Sequence, residues 1–107
     1  MEPFTIWRGT KRVVCGEDIA HVENIEIEGE VVGACWEEEN SRGTQTTFYQ
    51  THDGRVVVHR VHWSRWENEA TVANVFAFPS LEDAEAMFWW ELEQAGLIPP
   101  RTVELGE

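Results

Sequence analysis

Residues 80–97 read SLEDAEAMFWWELEQAGL, and this stretch decides the fold because it carries both a helical period and helical punctuation. Ser80 follows Pro79 and stands three residues before Asp83, a variant of the capping box: a hydroxyl takes an orphan amide and an acid sits in the first turn. Glu82, Asp83 and Glu85 place negative charge at the positive end of the helix dipole. At the other end Gly96 tolerates the left-handed conformation, and Pro99-Pro100 forbids continuation. At about 100° per residue, Leu81, Ala84, Phe88, Leu92 and Ala95 fall within a stripe roughly 80° wide. The spacing predicts a helix over 80–96 with that stripe against a core. Trp90 falls almost opposite, among Glu82, Asp83, Glu93 and Gln94, with Trp89 on the flank. A large aromatic on a polar face calls for a partner.

A helix of this kind needs a surface to cover, and the residues before it supply a sheet. Thr46 to Thr51 is rich in β-branched and aromatic residues, and Asp53-Gly54 suits a type I′ hairpin turn. Val56 to Trp66 is a long strand. Val57, His59, Val61 and Trp63 line one face; Val56, Val58, Arg60, His62, Ser64 and Trp66 line the other. Glu67-Asn68-Glu69 turns the chain, and Ala70 to Phe78 returns. The expected class is therefore α+β: an antiparallel sheet, with a meander in residues 46–78, and a C-terminal helix (80–96) packed on one face.

Upstream, Phe4 to Trp7 reads as a short strand, Gly9-Thr10 as a turn into Arg12 to Cys15, and Gly16-Glu17-Asp18 as a break. Ile19 to Asn24 has the spacing of a helical turn, while Asn24 to Glu28 alternates as a strand with Ile25 and Ile27 inward. Gly29-Glu30 would turn that strand back onto Val31 to Trp36 as its antiparallel partner. Gly33 marks a bulge or a close approach, and Glu37 to Gly43 reads as a solvated loop.

The chain of 107 residues shows no repeat or linker and reads as a single domain, 1–107. Its 42% hydrophobic content and six Trp exclude disorder. Twenty acids against eight bases give a net charge of −12, which repels nucleic-acid phosphate and anionic membranes. Direct nucleic-acid and membrane partners are therefore not expected. The same charge keeps a protein soluble, and it also suits a basic partner. No secretory or membrane segment is visible, so the expected location is cytoplasmic. Cys15 and Cys35 are too few and too far apart for a motif, and read as two small buried thiols.

The search for chemistry selects no catalytic, cofactor-binding or metal-ligating residue. His59 and His62 lie three apart on a strand, so they point to opposite faces and cannot chelate one ion. Ser41, Ser64 and Ser80 lack a nucleophile-elbow context, and the glycines at 29 and 33 lack the lysine of a phosphate loop. Glu37-Glu38-Glu39 lacks the alternating ligands of a calcium loop. What remains is surface. Arg60, His62 and Trp66, with Trp89 and Trp90 on the helix, have the composition of an interaction hot spot and are the candidate partner-binding residues. The expected function is a small acidic, non-enzymatic protein-binding domain whose partner is another protein or a second copy, pairing through Trp90. The alternatives are an acidic inhibitor that imitates nucleic acid, and a small enzyme with a site assembled from scattered residues.

Overall fold

Hairpin turns set most of the architecture. In the computed structural model, which describes residues 3–66 and 69–99, β1 (Phe4–Val14) joins β2 (Glu17–Ile27) through Cys15 and Gly16. Both turn residues have positive φ, 52° and 80°. Two consecutive left-handed residues make a type I′ turn, whose twist matches that of the strands it joins. The same device joins β3 (Gly29–Glu39) to β4 (Arg42–Thr51) at Asn40 and Ser41, with φ of 51° and 62°. The connection from β4 to β5 (Val56–Ser64) differs from the expected type I′ turn. Only Gly54 is left-handed there (φ 85°), and the Thr51 amide donates to the Arg55 carbonyl at 2.9 Å, closing a loop of His52, Asp53 and Gly54. The turn expected at residues 67–69 falls partly outside the described residues. β6 (Thr71–Phe78) then leads into α1 (Leu81–Gln94).

The six strands form one sheet in the order β2-β1-β6-β5-β4-β3, every neighbouring pair antiparallel. The meander and its covering helix are as the sequence implies; the N-terminal third is not. β1 has no turn at Gly9-Thr10: it runs straight through Gly9, whose φ is 126° and where a Cβ would stand 2.0 Å from the His21 carbonyl oxygen. β2 is extended throughout, with no helical turn over Ile19 to Asn24, because its register with β1 is continuous from Val14↔Glu17 to Phe4↔Ile27. Val31 to Trp36 pairs with β4, and Ile25 and Ile27 pair with Ile6 and Phe4. Although only Glu28 separates them, β2 and β3 therefore sit at opposite edges of the sheet. The residues Glu37 to Gly43 are strand except at the two-residue turn.

Alternation along β4, β5 and β6 builds a core on each face. On one face Phe48, Val56 and Val58 meet Ala84, Phe88 and Leu92 of α1, with Phe76 and Phe78 packed against them. Phe88 is the hub, its ring 5.1 Å from that of Phe76, 6.0 Å from Phe78 and 6.4 Å from Phe48. On the other face Tyr49, Val57 and Val75 meet Ile6, Ile25 and Ile27. β1 pairs with β6 only over Gly9 to Lys11; its earlier residues cross that second face, where Phe4 lies 5.6 Å from Tyr49.

The helix is capped at both ends. Ser80 Oγ accepts from the Asp83 amide at 3.3 Å; Leu97 N–H reaches the Leu92 carbonyl and Gly96 N–H the Glu93 carbonyl, a Schellman ending with Gly96 at φ 76°. α1 packs against β6 and β3. Its C-terminal end lies so close to Gly33 that a Cβ there would stand 3.1 Å from Leu97, beside a register shift between Val31 and Gly33. Leu81 departs from the expected stripe and is exposed. Among the described residues no helix is long and apolar enough to cross a membrane.

Candidate functional site

The five residues singled out by the sequence do not share one surface. Arg60 lies on the helix-covered face, its guanidinium 6.0 Å from the Phe88 ring, and its buried Nε has no hydrogen-bond partner among the described residues. His62, two residues further along that face, is exposed and its Nδ1 lies 2.7 Å from Thr44 Oγ1. Burial lowers the His62 pKa, and the nearby Arg60 charge adds to the effect. On the helix Trp89 is exposed and Trp90 half-buried, the reverse of an ideal helical wheel. The helix leaves helical dihedrals at Phe88 (φ −122°, ψ 30°), just before the two tryptophans, so a straight wheel misplaces that pair although Leu92 still reaches the core. Trp66 belongs to the far end of the sheet. The helix packs on Val56 and Val58 at the start of β5, whereas Trp66 lies two residues past its last, Ser64, which is itself about 20 Å from Val58 at 3.3 Å per residue.

At that far end the structure gathers residues that alternation alone did not connect. The β1–β2 turn, the β3–β4 turn and the segment between β5 and β6 all meet there, because β1 starts antiparallel to β6 and β5 antiparallel to β4. Lys11 Nζ stands 4.2 Å from the centre of the Trp7 ring, Arg65 lies 5.1 Å from Trp63, and Arg42 lies 5.9 Å from Trp66. Trp36 packs on Trp63 at 5.6 Å. Gly43 permits that stack: a Cβ there would fall 2.4 Å from Trp63. Trp66 donates its indole N–H to the Asn40 carbonyl at 2.9 Å yet stays 55% exposed, as does Trp36.

A cleft of about 830 Å³ opens between the β1–β2 hairpin and the β5–β6 connection. Lys11, Arg12 and Arg65 supply its positive charge, Asp18 sets one carboxylate against them, and Val13, Ile19 and Trp66 form its apolar wall. Among the described residues Lys11 and Arg12 make no ion pair, and Arg65 reaches Glu38 only at 3.9 Å. Glu69 also lines the cleft, but its charge is already taken. Arg42 grips it through two nitrogens, one at 2.7 Å, and Ser64 Oγ donates to it at 2.6 Å. Those hydrogen bonds, Arg42's first, hold the Glu69 carboxyl down to about 2. A second cleft of about 530 Å³ at the opposite end pairs its arginine, Arg55, with Asp53 at 2.9 Å and adds the carboxylates of Glu26 and Glu28, so among the described residues it offers an acidic segment no free cation.

The sequence held a signal for this site that composition hid. Lys11-Arg12 and Arg65-Trp66 each set basic residues near a strand end in an acidic chain, and the register of β1 with β6 brings the two to the same end of the sheet. His59 and His62 do point to opposite faces. The first is half-buried, with Nε2 2.7 Å from the Trp7 carbonyl; the second lies on Thr44. Both thiols are free. Cys15 is exposed because it occupies the turn, and Cys35 is half-buried, its pKa raised chiefly by that burial. Among the described residues no three His, Cys, Asp or Glu side chains gather as a metal would require. Comparison with protein-family models, with curated proteins and with solved structures found no match.

Proposed function

We propose that this chain is a small protein-interaction domain that grips an acidic, partly apolar segment of a partner protein in the cleft lined by Lys11, Arg12 and Arg65. One observation carries the reading. In a chain of net charge −12, four of the eight basic residues, Lys11, Arg12, Arg42 and Arg65, collect at one end, and three of them lie over Trp rings. Trp and Arg dominate interface hot spots because they combine large contact area with directed polar contact. Glu17, Asp18 and Glu37 to Glu39 share that end, so the attraction is confined to the cleft itself, where Lys11, Arg12 and Arg65 face Asp18 and a Glu69 already held by Arg42, and that confinement selects one orientation. A long phosphate backbone would gain the same cations but would run off onto acidic surface, which disfavours nucleic acid as the partner.

Selection from a displayed random-peptide library tests this reading. Wild type should enrich sequences in which Asp or Glu adjoins an aromatic or aliphatic residue. The double variant Arg12→Glu/Arg65→Glu should bind the selected peptides at least about tenfold more weakly, while Trp89→Ala binds as wild type. Enrichment of basic peptides, or binding that survives the charge reversal, would sink the proposal.

A further inference from the structure

β2 is an edge strand of 11 residues, and every residue from Glu17 to Asn24 is exposed. An exposed edge is a row of unpaired amides and carbonyls, and proteins blunt such edges with proline, lysine, a bulge or a covering element. The opposite edge, β3, is blunted in this way: its register shifts between Val31 and Gly33, and the end of α1 packs there. β2 contains no proline, lysine or arginine and no bulge in its register with β1; the charge it does carry is four acids, Glu17, Asp18, Glu23 and Glu26, which any pairing along this edge must accommodate. It also shows Ile19 and Val22, each 41% exposed. The molecule is correspondingly spread out, with a radius of gyration of 16.1 Å where a compact chain of this length has about 13 Å.

We infer that β2 pairs antiparallel with β2 of a second copy about a two-fold axis at Val22, joining the two sheets edge to edge. The argument is self-complementarity, which a two-fold interface demands. With Val22 opposite itself, His21 faces Glu23 of the second copy, twice, and Ile19 faces Ile25, twice. The alternation of β2 puts Ile19, His21 and Glu23 on the same face as Ile25, which belongs to the second core cluster. Ile19 of each copy therefore extends the other's core. Glu23 is prepared for its role. Arg8 holds its Oε2 at 2.8 and 3.0 Å from β1, which fixes the side chain and leaves Oε1 for the incoming His21. Moving the axis by one residue destroys the match. Centred on His21, Ile19 would face Glu23; centred on Glu23, Ala20 would face Glu26 and His21 would face Ile25. The one like-charge pair in the chosen register, Asp18 with Glu26, lies on the other face near the ends. This edge adjoins the cationic cleft at Asp18, Ile19 and Ala20, but His21 and Glu23, on which the test turns, lie outside that cleft, and the inference stands without the peptide-binding reading.

Sedimentation equilibrium of the full chain is the test, with a charge swap to fix the register. Wild type should show a monomer–dimer equilibrium. His21→Glu alone sets two acids against Glu23 of the second copy and should shift the molecule to monomer, and Glu23→Lys alone should do the same. Mixing the two variants sets the introduced acid against the introduced lysine at one contact, keeps His21 opposite Glu23 at the other, and should restore the dimer, at least about tenfold more strongly than either variant alone. Circular dichroism of each variant confirms that the sheet is intact. A wild type that stays monomeric at high protein and high salt overturns the inference. So does a dimer indifferent to both substitutions, or a mixture no tighter than its components.

Discussion

His59 shows what a polar side chain does inside a thin sheet. It is half-buried on the face opposite the helix, edge-on to Trp7 at 6.2 Å, with Nε2 2.7 Å from the Trp7 carbonyl. A carbonyl only accepts, so Nε2 carries the proton in the neutral ring. Burial lowers the His59 pKa from the ordinary 6.5, and the bond to Trp7 offsets part of that. The unfolded chain therefore takes up the proton first. Above about pH 6.5 both states are neutral here and folding loses nothing; as pH falls from there through the lower folded value, stability is lost. His62 acts in the same direction. His59→Gln keeps an N–H for the Trp7 carbonyl but cannot titrate. Its melting temperature should fall less than that of wild type between pH 7 and pH 5. Parallel curves would mean that His59 ionises as freely in the folded protein as in the unfolded chain.

At the scale of elements, α1 is the part of the fold most completely written in the sequence, because its stripe and both its ends were encoded in local chemistry. Phe88 and Leu92 are fully buried against β4, β5 and β6. Phe88→Ala should cost about 3–5 kcal/mol and Leu92→Ala about 2–5, each leaving a cavity in a packed core, as chemical denaturation would measure. Glu82→Gln, on the exposed first turn, should change stability by less than about 0.5 kcal/mol. Comparable losses from all three would mean that the helix does not pack through this stripe. The N-terminal hairpins were harder to read for a physical reason. Cys15-Gly16 and Asn40-Ser41 adopt positive φ without the Asn-Gly or Asp-Gly pair that advertises a type I′ turn, so one looked like a break and the other like a loop. Alternation shows that Asn24 to Glu28 is a strand but not which strand it joins. Gly29, whose Cβ would stand 2.2 Å from the Gln50 carbonyl oxygen, docks β3 on β4 from its first residue and carries β2 and β3 apart. The candidate site suffered similarly. The pattern put Arg60, His62 and Trp66 on one face of β5, but only the tertiary structure shows that the helix approaches Arg60 and that Trp66 meets Lys11 and Arg12 instead.

Across the whole molecule, stability is unevenly spread. Both core clusters draw on β4, β5 and β6, while β1 touches β6 over only three residues before the hairpin runs on with both faces in water. Opening that hairpin beyond Gly9 to Lys11 exposes little apolar surface that is not exposed already, so it should cost far less than global unfolding. Native-state amide exchange on the monomer should therefore show two levels. Amides in the ladders of β5 with β4 and β6 should exchange near the global limit, and those of Glu17 to Asn24 at least about 100-fold faster. The same β2 amides provide an internal control on association, because raising the concentration should slow them and leave β5 unchanged if the two copies meet along this edge. Equal protection in β2 and β5 of a monomer would show instead that the hairpin is held as firmly as the core. Its exposed edge would then be a rigid part of a single cooperative unit rather than the loosest one.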